Sequence, residues 1–250
     1  MKEQDLAGRH ALVTGAGRGI GRAVVLELAT RGAHVLACGR EPARIEETVQ
    51  LARRLGGSVT ARLGDITSPE FVESWARKDG PIDVLVHNAT SFPSYAQLED
   101  ARPGDVQLVH EVAVFAPMRI TAHLLPDMKA RGFGRIVFMG SIAATLGAAQ
   151  QAPYASAKAA LQGLMRTIAL EGASHGVTCN LVEPGLVLTE RVLAAIPEAR
   201  RAALVARTPI GRAGTPEEIA AVVGFLASPR ASYVTGACIP VTGGLGLGLQ

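Results

Sequence analysis

Ser141, Tyr154 and Lys158 are the residues whose types and spacing could do chemistry. Tyr154-Ala155-Ser156-Ala157-Lys158 opens a helical run and puts Tyr and Lys four apart, hence on one face. By itself such a pair is more often a snorkelling couple on an amphipathic helix than a reactive one. Ser141, 13 residues before Tyr154, ends the apolar run Arg135-Ile136-Val137-Phe138-Met139-Gly140 and adds a hydroxyl to the set. A carbonyl that accepts hydride gains negative charge on its oxygen and needs a proton or hydrogen bond there. A phenol, which titrates near pH 10, can supply the proton, and a fixed ammonium about 5 Å away at an effective dielectric of about 20 is worth about 3 kcal/mol. Lys158 is therefore expected to bring Tyr154 about 2 pH units down, toward a useful range.

A second constellation could hold a cofactor. Thr14-Gly15-Ala16-Gly17-Arg18-Gly19-Ile20-Gly21 follows the first strand-like run and opens into the helical pattern from Arg22 to Ala29. Closely spaced glycines let the backbone turn sharply and approach a pyrophosphate, whose charge the helix N-terminus favours. The bland alternative is an ordinary strand-to-helix connection. The second strand-like run ends Ala37-Cys38-Gly39-Arg40, without the acid that would hold the ribose hydroxyls of NAD. Arg40 and Arg18 are expected to clamp a 2′-phosphate, so NADP(H) is favoured over NAD(H). Glu41, one position on, reads as a helix-start residue before Pro42; arginines that make no specific contact remain the alternative for Arg18 and Arg40.

The elements that must position these groups alternate short β-branched runs with longer helical ones from His10 onward. That rhythm predicts an α/β fold: a single doubly wound Rossmann-like domain over residues 1–250, with about seven parallel strands and helices on both faces. The largest irregular region runs from Pro184 to about Gly214. Ligands in such sheets sit beyond the carboxyl ends of the strands, so 185–214 is the candidate substrate lid. Thr215-Pro216-Glu217-Glu218 carries an N-cap, a first-turn proline and acids that suit a helix start.

The 250 residues are 48% hydrophobic and only 4% aromatic, which suits a helix-and-sheet core and argues against disorder. The net charge of +3 is spread among 22 acidic residues, with no basic stripe, and nucleic acid is not an expected partner. Cys38, Cys179 and Cys238 sit apart in apolar runs, as reduced core thiols do, and the six histidines show no metal-ligand spacing. The mixed charges from Met1 to Asp5 lead into no apolar leader, and no membrane partner and a cytoplasmic location are expected. His87, ending the fourth strand-like run, has a slightly raised prior for a functional role beside the crevice.

The ordered set of motifs resembles the short-chain dehydrogenase/reductase family, and within it most nearly the 3-oxoacyl-acyl-carrier-protein reductases. The resemblance rests on the glycine spacing after Thr14, Asp65-Ile66, Asn88-Ala89, the Ser141, Tyr154, Lys158 set, Asn180 to Gly185, Arg212 to Ala220 and Val241 to Gly244. It implies an NADP-dependent oxidoreductase that interconverts a small-molecule or acyl-carrier-bound ketone and its alcohol, Tyr154 being the general acid/base. It implies cofactor contacts from Gly15, Gly17, Arg18, Gly19, Ile20, Gly21, Arg40, Asp65, Ile66, Asn88, Ala89, Tyr154, Lys158, Pro184, Gly185, Val187 and Thr189, with Ser141 orienting the carbonyl. A homo-oligomer is implied as well, most often a tetramer, with the Gly243 to Leu249 tail a candidate for its interface.

Several positions depart from the family pattern. Ala113 stands where a helical asparagine feeds a proton relay, so Ala113→Asn is expected to raise turnover. His87 and Thr90 replace the outer residues of the N-N-A-G element, and Thr242 replaces an aspartate. Ala113 leaves open a dinucleotide-binding regulator that no longer turns over, although the retained Ser141, Tyr154 and Lys158 argue against it. The run Asn88-Ala89-Thr90-Ser91-Phe92 is similar to a segment of pteridine reductases, a minor alternative.

Overall fold

In the computed structural model, which describes residues 4–78 and 80–247, seven parallel strands form one sheet in the order β3-β2-β1-β4-β5-β6-β7. They are β1 His10–Thr14, β2 His34–Gly39, β3 Ser58–Leu63, β4 Val84–His87, β5 Gly134–Met139, β6 Val177–Pro184 and β7 Cys238–Val241. Residues β4 to β6 are buried throughout, as expected of strands covered on both faces, and so their sequences read as continuous apolar runs. Met1 to Glu3 and Gly248 to Gln250, ends on which two of the sequence expectations fall, lie outside the described residues.

Helices α1 Gly19–Thr30 and α2 Pro42–Arg54 follow the first two strands; α3 Pro69–Lys78 follows β3. Between β4 and β5 lie α4 Pro103–His110, a π-helical turn over Glu111–Phe115, and α5 Ala116–Ala130. The short α6 Ala143–Leu146 and the long α7 Ala152–Ala173 precede β6. Then come α8 Glu190–Ala195, α9 Glu198–Ala206 and α10 Pro216–Ala227. One apolar layer joins α1, α2 and α10 to the sheet through Val24, Leu28, Val49 and Val223; the other joins α5 and α7 through Ile120, Met128, Leu161 and Met165. The helical run Pro103–Ala130 is by length and composition apolar enough to cross a membrane, but half of its most apolar stretch is buried in the fold.

The segment expected to be irregular over 185–214 contains α8 and α9. Its base is closed: Val187 bridges Gly214, and the Leu188 N–H donates to the Gly214 carbonyl at 3.0 Å. Thr189 caps α8 by accepting from the Val192 N–H at 3.2 Å, and Pro197 sets the turn into α9. Neither helix buries a residue, so neither adds to the core. At α10, Thr215 and Glu218 form the reciprocal capping box that the sequence there suits.

Candidate active site

A cleft of about 440 Å³ opens at the carboxyl ends of the strands, where the strand order reverses between β1 and β4. It gathers every residue that the sequence singles out for cofactor or catalysis. Gly15, Gly17, Arg18, Gly19, Ile20 and Gly21 line one part; Arg40, Asp65 and Ile66 lie beyond them; Asn88, Ala89, Ser141, Tyr154, Lys158, Pro184, Gly185, Val187 and Thr189 line the rest.

The glycine loop is cradled by backbone. A Cβ on Gly21 would lie 2.1 Å from the Gly15 carbonyl oxygen, and one on Gly15, whose φ is +67°, would lie 2.9 Å from Ala89 Cα. The Asn88 amide donates to the Thr14 and Gly15 carbonyls at 3.1 and 3.0 Å, while Thr14 Oγ1 accepts the Asn88 and Ala89 N–H groups at 3.1 Å. Arg18, in the N-cap position of α1, makes no side-chain capping bond, so no side chain of its own blocks the first-turn N–H groups. A close-packed glycine turn leading into an uncapped helix start fits a pyrophosphate-bearing dinucleotide.

At the far end of this part, Arg40 is exposed and lies 3.5 Å from Asp65 Oδ2. Burial would push the Asp65 carboxyl up, but hydrogen bonds from the Thr67 N–H and hydroxyl, with the Arg40 charge, hold it below its ordinary value. Glu41 occupies the N-cap position of α2 and pairs with Arg44 at 2.7 Å, so this acid is engaged within its own helix start. Arg44 also lines the cleft, a third arginine that the sequence patterns did not mark.

At the other end, α7 presents Tyr154 and Lys158 one turn apart, and the loop after β5 presents Ser141. That loop is fastened to β6: the Gly140 N–H donates to Val182 at 2.8 Å and the Ile142 N–H to Pro184 at 3.0 Å. Burial raises the Tyr154 phenol above its ordinary value, and the Ser141 hydroxyl pulls in the opposite direction. The expected lowering by Lys158 is not found. Its Nζ lies 5.7 Å from the Tyr154 ring centre, donates to the Met139 carbonyl at 2.7 Å, and is pulled down to about 8 by burial. For each group, burial is the leading cause of the shift and acts against its charged form.

Other residues noted from sequence fall outside the reacting centre. Ala113 is buried in the π-helical turn among Val109, Val114 and Ala157, while its neighbour Val112 lines the cleft. His87 does not line the cleft: it is buried, stacked on Phe138 at 4.7 Å, with Nε2 2.9 Å from the Thr121 hydroxyl, and burial holds its pKa at about 3. Thr90 lines the cleft, and Thr242 packs so closely on Gly185 that a Cβ there would lie 2.9 Å from Thr242 Cα. Two side chains that the sequence patterns left without a role stand beside Tyr154. Phe92 stacks on its ring at 5.0 Å between centres, and the Arg191 guanidinium lies 4.0 Å over Phe92.

Comparison with known proteins matches residues 15–246 to a family model described as Enoyl-(Acyl carrier protein) reductase. The chain is 38% identical to the 3-oxoacyl-[acyl-carrier-protein] reductase of Escherichia coli over 248 residues, 96% of this chain and 98% of that protein. A crystal structure of a 3-oxoacyl (acyl-carrier-protein) reductase from Agrobacterium tumefaciens, with NADP bound, superposes with a TM-score of 0.89 at 36% identity, covering 96% and 95% of the two chains. Another protein of that organism, assigned as a gluconate dehydrogenase, superposes with a TM-score of 0.94 at 36% identity over the whole of both chains. With this sheet order, this cleft and these relatives, the chain belongs to the short-chain dehydrogenase/reductase family of oxidoreductases.

Proposed function

We propose that the chain is an NADPH-dependent reductase of a ketone, either a small molecule or an acyl-carrier-bound one, with Tyr154 as general acid. The observation that carries this reading is the convergence of Ser141, Tyr154 and Lys158 on a cleft that also holds the glycine cradle. Bound NADPH supplies the hydride that reaches the carbonyl carbon. The Ser141 hydroxyl donates a hydrogen bond to the carbonyl oxygen and fixes its position. Tyr154, a phenol already protonated at neutral pH and raised further by burial, delivers its proton to that oxygen as charge develops. Lys158, held by the Met139 carbonyl, holds an ammonium beside the phenol and favours the phenolate left behind. In the oxidative direction the same phenolate takes the alcohol proton.

Preference for NADPH over NADH is supported by Arg18, Arg40 and Arg44 around the cleft and by the engagement of Glu41 with Arg44. Segment 185–214, clamped at its base and carrying cleft-lining residues, is the substrate lid of this reading. The exposed apolar side chains Leu108, Phe115 and Met118 on the α4 to α5 run favour a homo-oligomer, and the tetramer common in the family is the form we assign. A cytoplasmic setting suits the core thiols: burial raises Cys38 to about 12, and Cys179 is raised likewise. The test is turnover of a carbonyl panel with NADPH and with NADH, alongside binding of both cofactors. Reduction of panel members with NADPH is expected; tight cofactor binding without turnover of any member would instead support a dinucleotide-binding regulator.

A further inference from the structure

Arg191 is a cation of the cleft that meets no carboxylate among the described residues. Most of the strongly held arginines meet carboxylates: Arg22 pairs with Glu47 at 2.6 Å, Arg31 with Glu27 and Asp5 at 2.8 and 3.0 Å, and Arg212 with Glu218 at 2.6 Å. Arg191 has no carboxylate within ion-pair distance among the described residues. Its hydrogen bond among the described residues is a 3.5 Å contact from Nη2 to the Phe92 carbonyl, which leaves most of its five donors without a protein acceptor there. Glu190, next in the chain, turns instead toward Gly19, its Oε2 lying 3.7 Å from where a Cβ of that glycine would be. Arg18 is near enough to repel it, and partial burial adds to that cost.

Its position is as specific as its lack of a partner. The guanidinium carbon lies 4.0 Å from the Phe92 ring centre, and Phe92 stacks on Tyr154 at 5.0 Å between centres, so Phe92 links the cation to the proposed proton donor. All three line the same cleft. Resting on the proposed carbonyl chemistry, we infer that Arg191 is a substrate-recognition residue: it takes the carboxylate of a small oxo or hydroxy acid whose reacting carbon sits at Tyr154. A planar guanidinium offers two parallel donors that match the two oxygens of a carboxylate, and stacking on Phe92 fixes the plane of that fork before substrate arrives. The cofactor phosphates are served at the glycine end, by the uncapped start of α1 and by Arg18 and Arg40.

The experiment compares oxo acids with their primary amides, which have the same shape and no charge, in the native enzyme, Arg191→Met and Arg191→Lys. Methionine keeps an unbranched apolar chain over Phe92 and removes only the charge and the donors. The native enzyme is expected to favour an acid over its amide by about tenfold or more in kcat/KM, and Arg191→Met to lower the value for the acid about tenfold to a hundredfold, mainly through KM. The acid is expected to lose several-fold more than the amide, the dissociation constant for NADPH to stay within about twofold, and Arg191→Lys to recover part of the acid preference. Equal losses on acid and amide would make Arg191 a packing residue, and a parallel loss of NADPH affinity would assign it to the cofactor; either overturns the inference. Amides reduced as well as acids by the native enzyme would overturn it while leaving the reductase reading intact. No turnover of any member would overturn both.

Discussion

At the glycine end of the cleft the contacts run through backbone: Gly21 against the Gly15 carbonyl, Asn88 to the Thr14 and Gly15 carbonyls, Thr14 to two N–H groups of the β4 exit. At the Tyr154 end they run through side chains from segments far apart in sequence, with Phe92 on Tyr154, Arg191 on Phe92 and Lys158 reaching Met139. The close-packed loop suits a dinucleotide pyrophosphate, and the proposed choice between NADPH and NADH falls to the side chains beside it, Arg40 among them. The side-chain-built end can be altered one residue at a time without disturbing the loop. Chemistry and substrate choice therefore separate from cofactor binding, and single substitutions can test that separation.

Tyr154→Phe is the most severe such test. It removes one hydroxyl and keeps the ring on which Phe92 stacks, so fold and NADPH affinity are expected to hold while kcat falls by about a hundredfold to ten-thousandfold. Steady-state kinetics with cofactor titration on the same preparation gives both readouts. Near-normal turnover would remove Tyr154 as the proton donor, and a matching loss of cofactor affinity would show that the two ends are not independent.

Arg40→Asp examines the opposite end. It deletes a cation beside the expected 2′-phosphate site and sets a second carboxylate near Asp65, whose partner Arg40 is. A charge-assisted contact is worth about 1.5 to 3 kcal/mol, so the ratio of NADPH to NADH affinity is expected to fall about tenfold to a hundredfold. With NADH saturating, kcat is expected to hold, because Ser141, Tyr154 and Lys158 are untouched. An unchanged affinity ratio would reverse the cofactor preference proposed for the chain.

The same division explains what could be read without coordinates. Glycine spacing, the strand rhythm and the Ser141, Tyr154, Lys158 interval are properties of local chain geometry, and local geometry leaves a periodic trace. The Phe92, Tyr154 and Arg191 stack has no such trace: it joins positions 62 and 37 residues apart, through a loop and a helix that buries nothing. The balance at Tyr154 was misjudged because spacing gives the Coulomb attraction of Lys158 but not the burial that each group undergoes.

His87 lies beneath the chemical end and links it to stability. Burial holds its folded pKa at about 3, against 6.5 for an exposed imidazole, so the unfolded chain binds more protons between those values. Stability is therefore lost as pH falls from 6.5 toward 3, by about 1.4 kcal/mol for each pH unit well inside that window. Denaturant unfolding at pH 7 and pH 5 is expected to show a steeper acid loss for the native chain than for His87→Asn, which has no group titrating there. Identical pH dependence in the two proteins would mean that His87 is protonated, and accommodated, in the folded state.

The smallest change is expected from Ala113→Asn, and the structure alters what it should do. On family resemblance alone, asparagine at this position should restore a relay between Lys158 and solvent and so raise turnover. Ala113, however, is buried among Val109, Val114 and Ala157, and it is Val112, one residue earlier, that lines the cleft. An amide placed there enters an apolar cluster and must be desolvated before it can help any proton. Burying such a group with incomplete hydrogen bonding costs about 1 to 3 kcal/mol, and the added volume adds to that. The π-helical turn over Glu111–Phe115 already departs from the regular helical bonding pattern at this point, in the alanine-bearing chain. Packing therefore outweighs relay: thermal unfolding is expected about 2 to 8 °C lower, with kcat changed by less than about twofold. Solvent isotope effects on kcat, measured in both proteins where hydride transfer or reprotonation limits the rate, decide the matter. A rise in kcat accompanied by a smaller isotope effect would show that the relay was the missing part after all, and that the asparagine side chain reaches past Ala157 to the lysine.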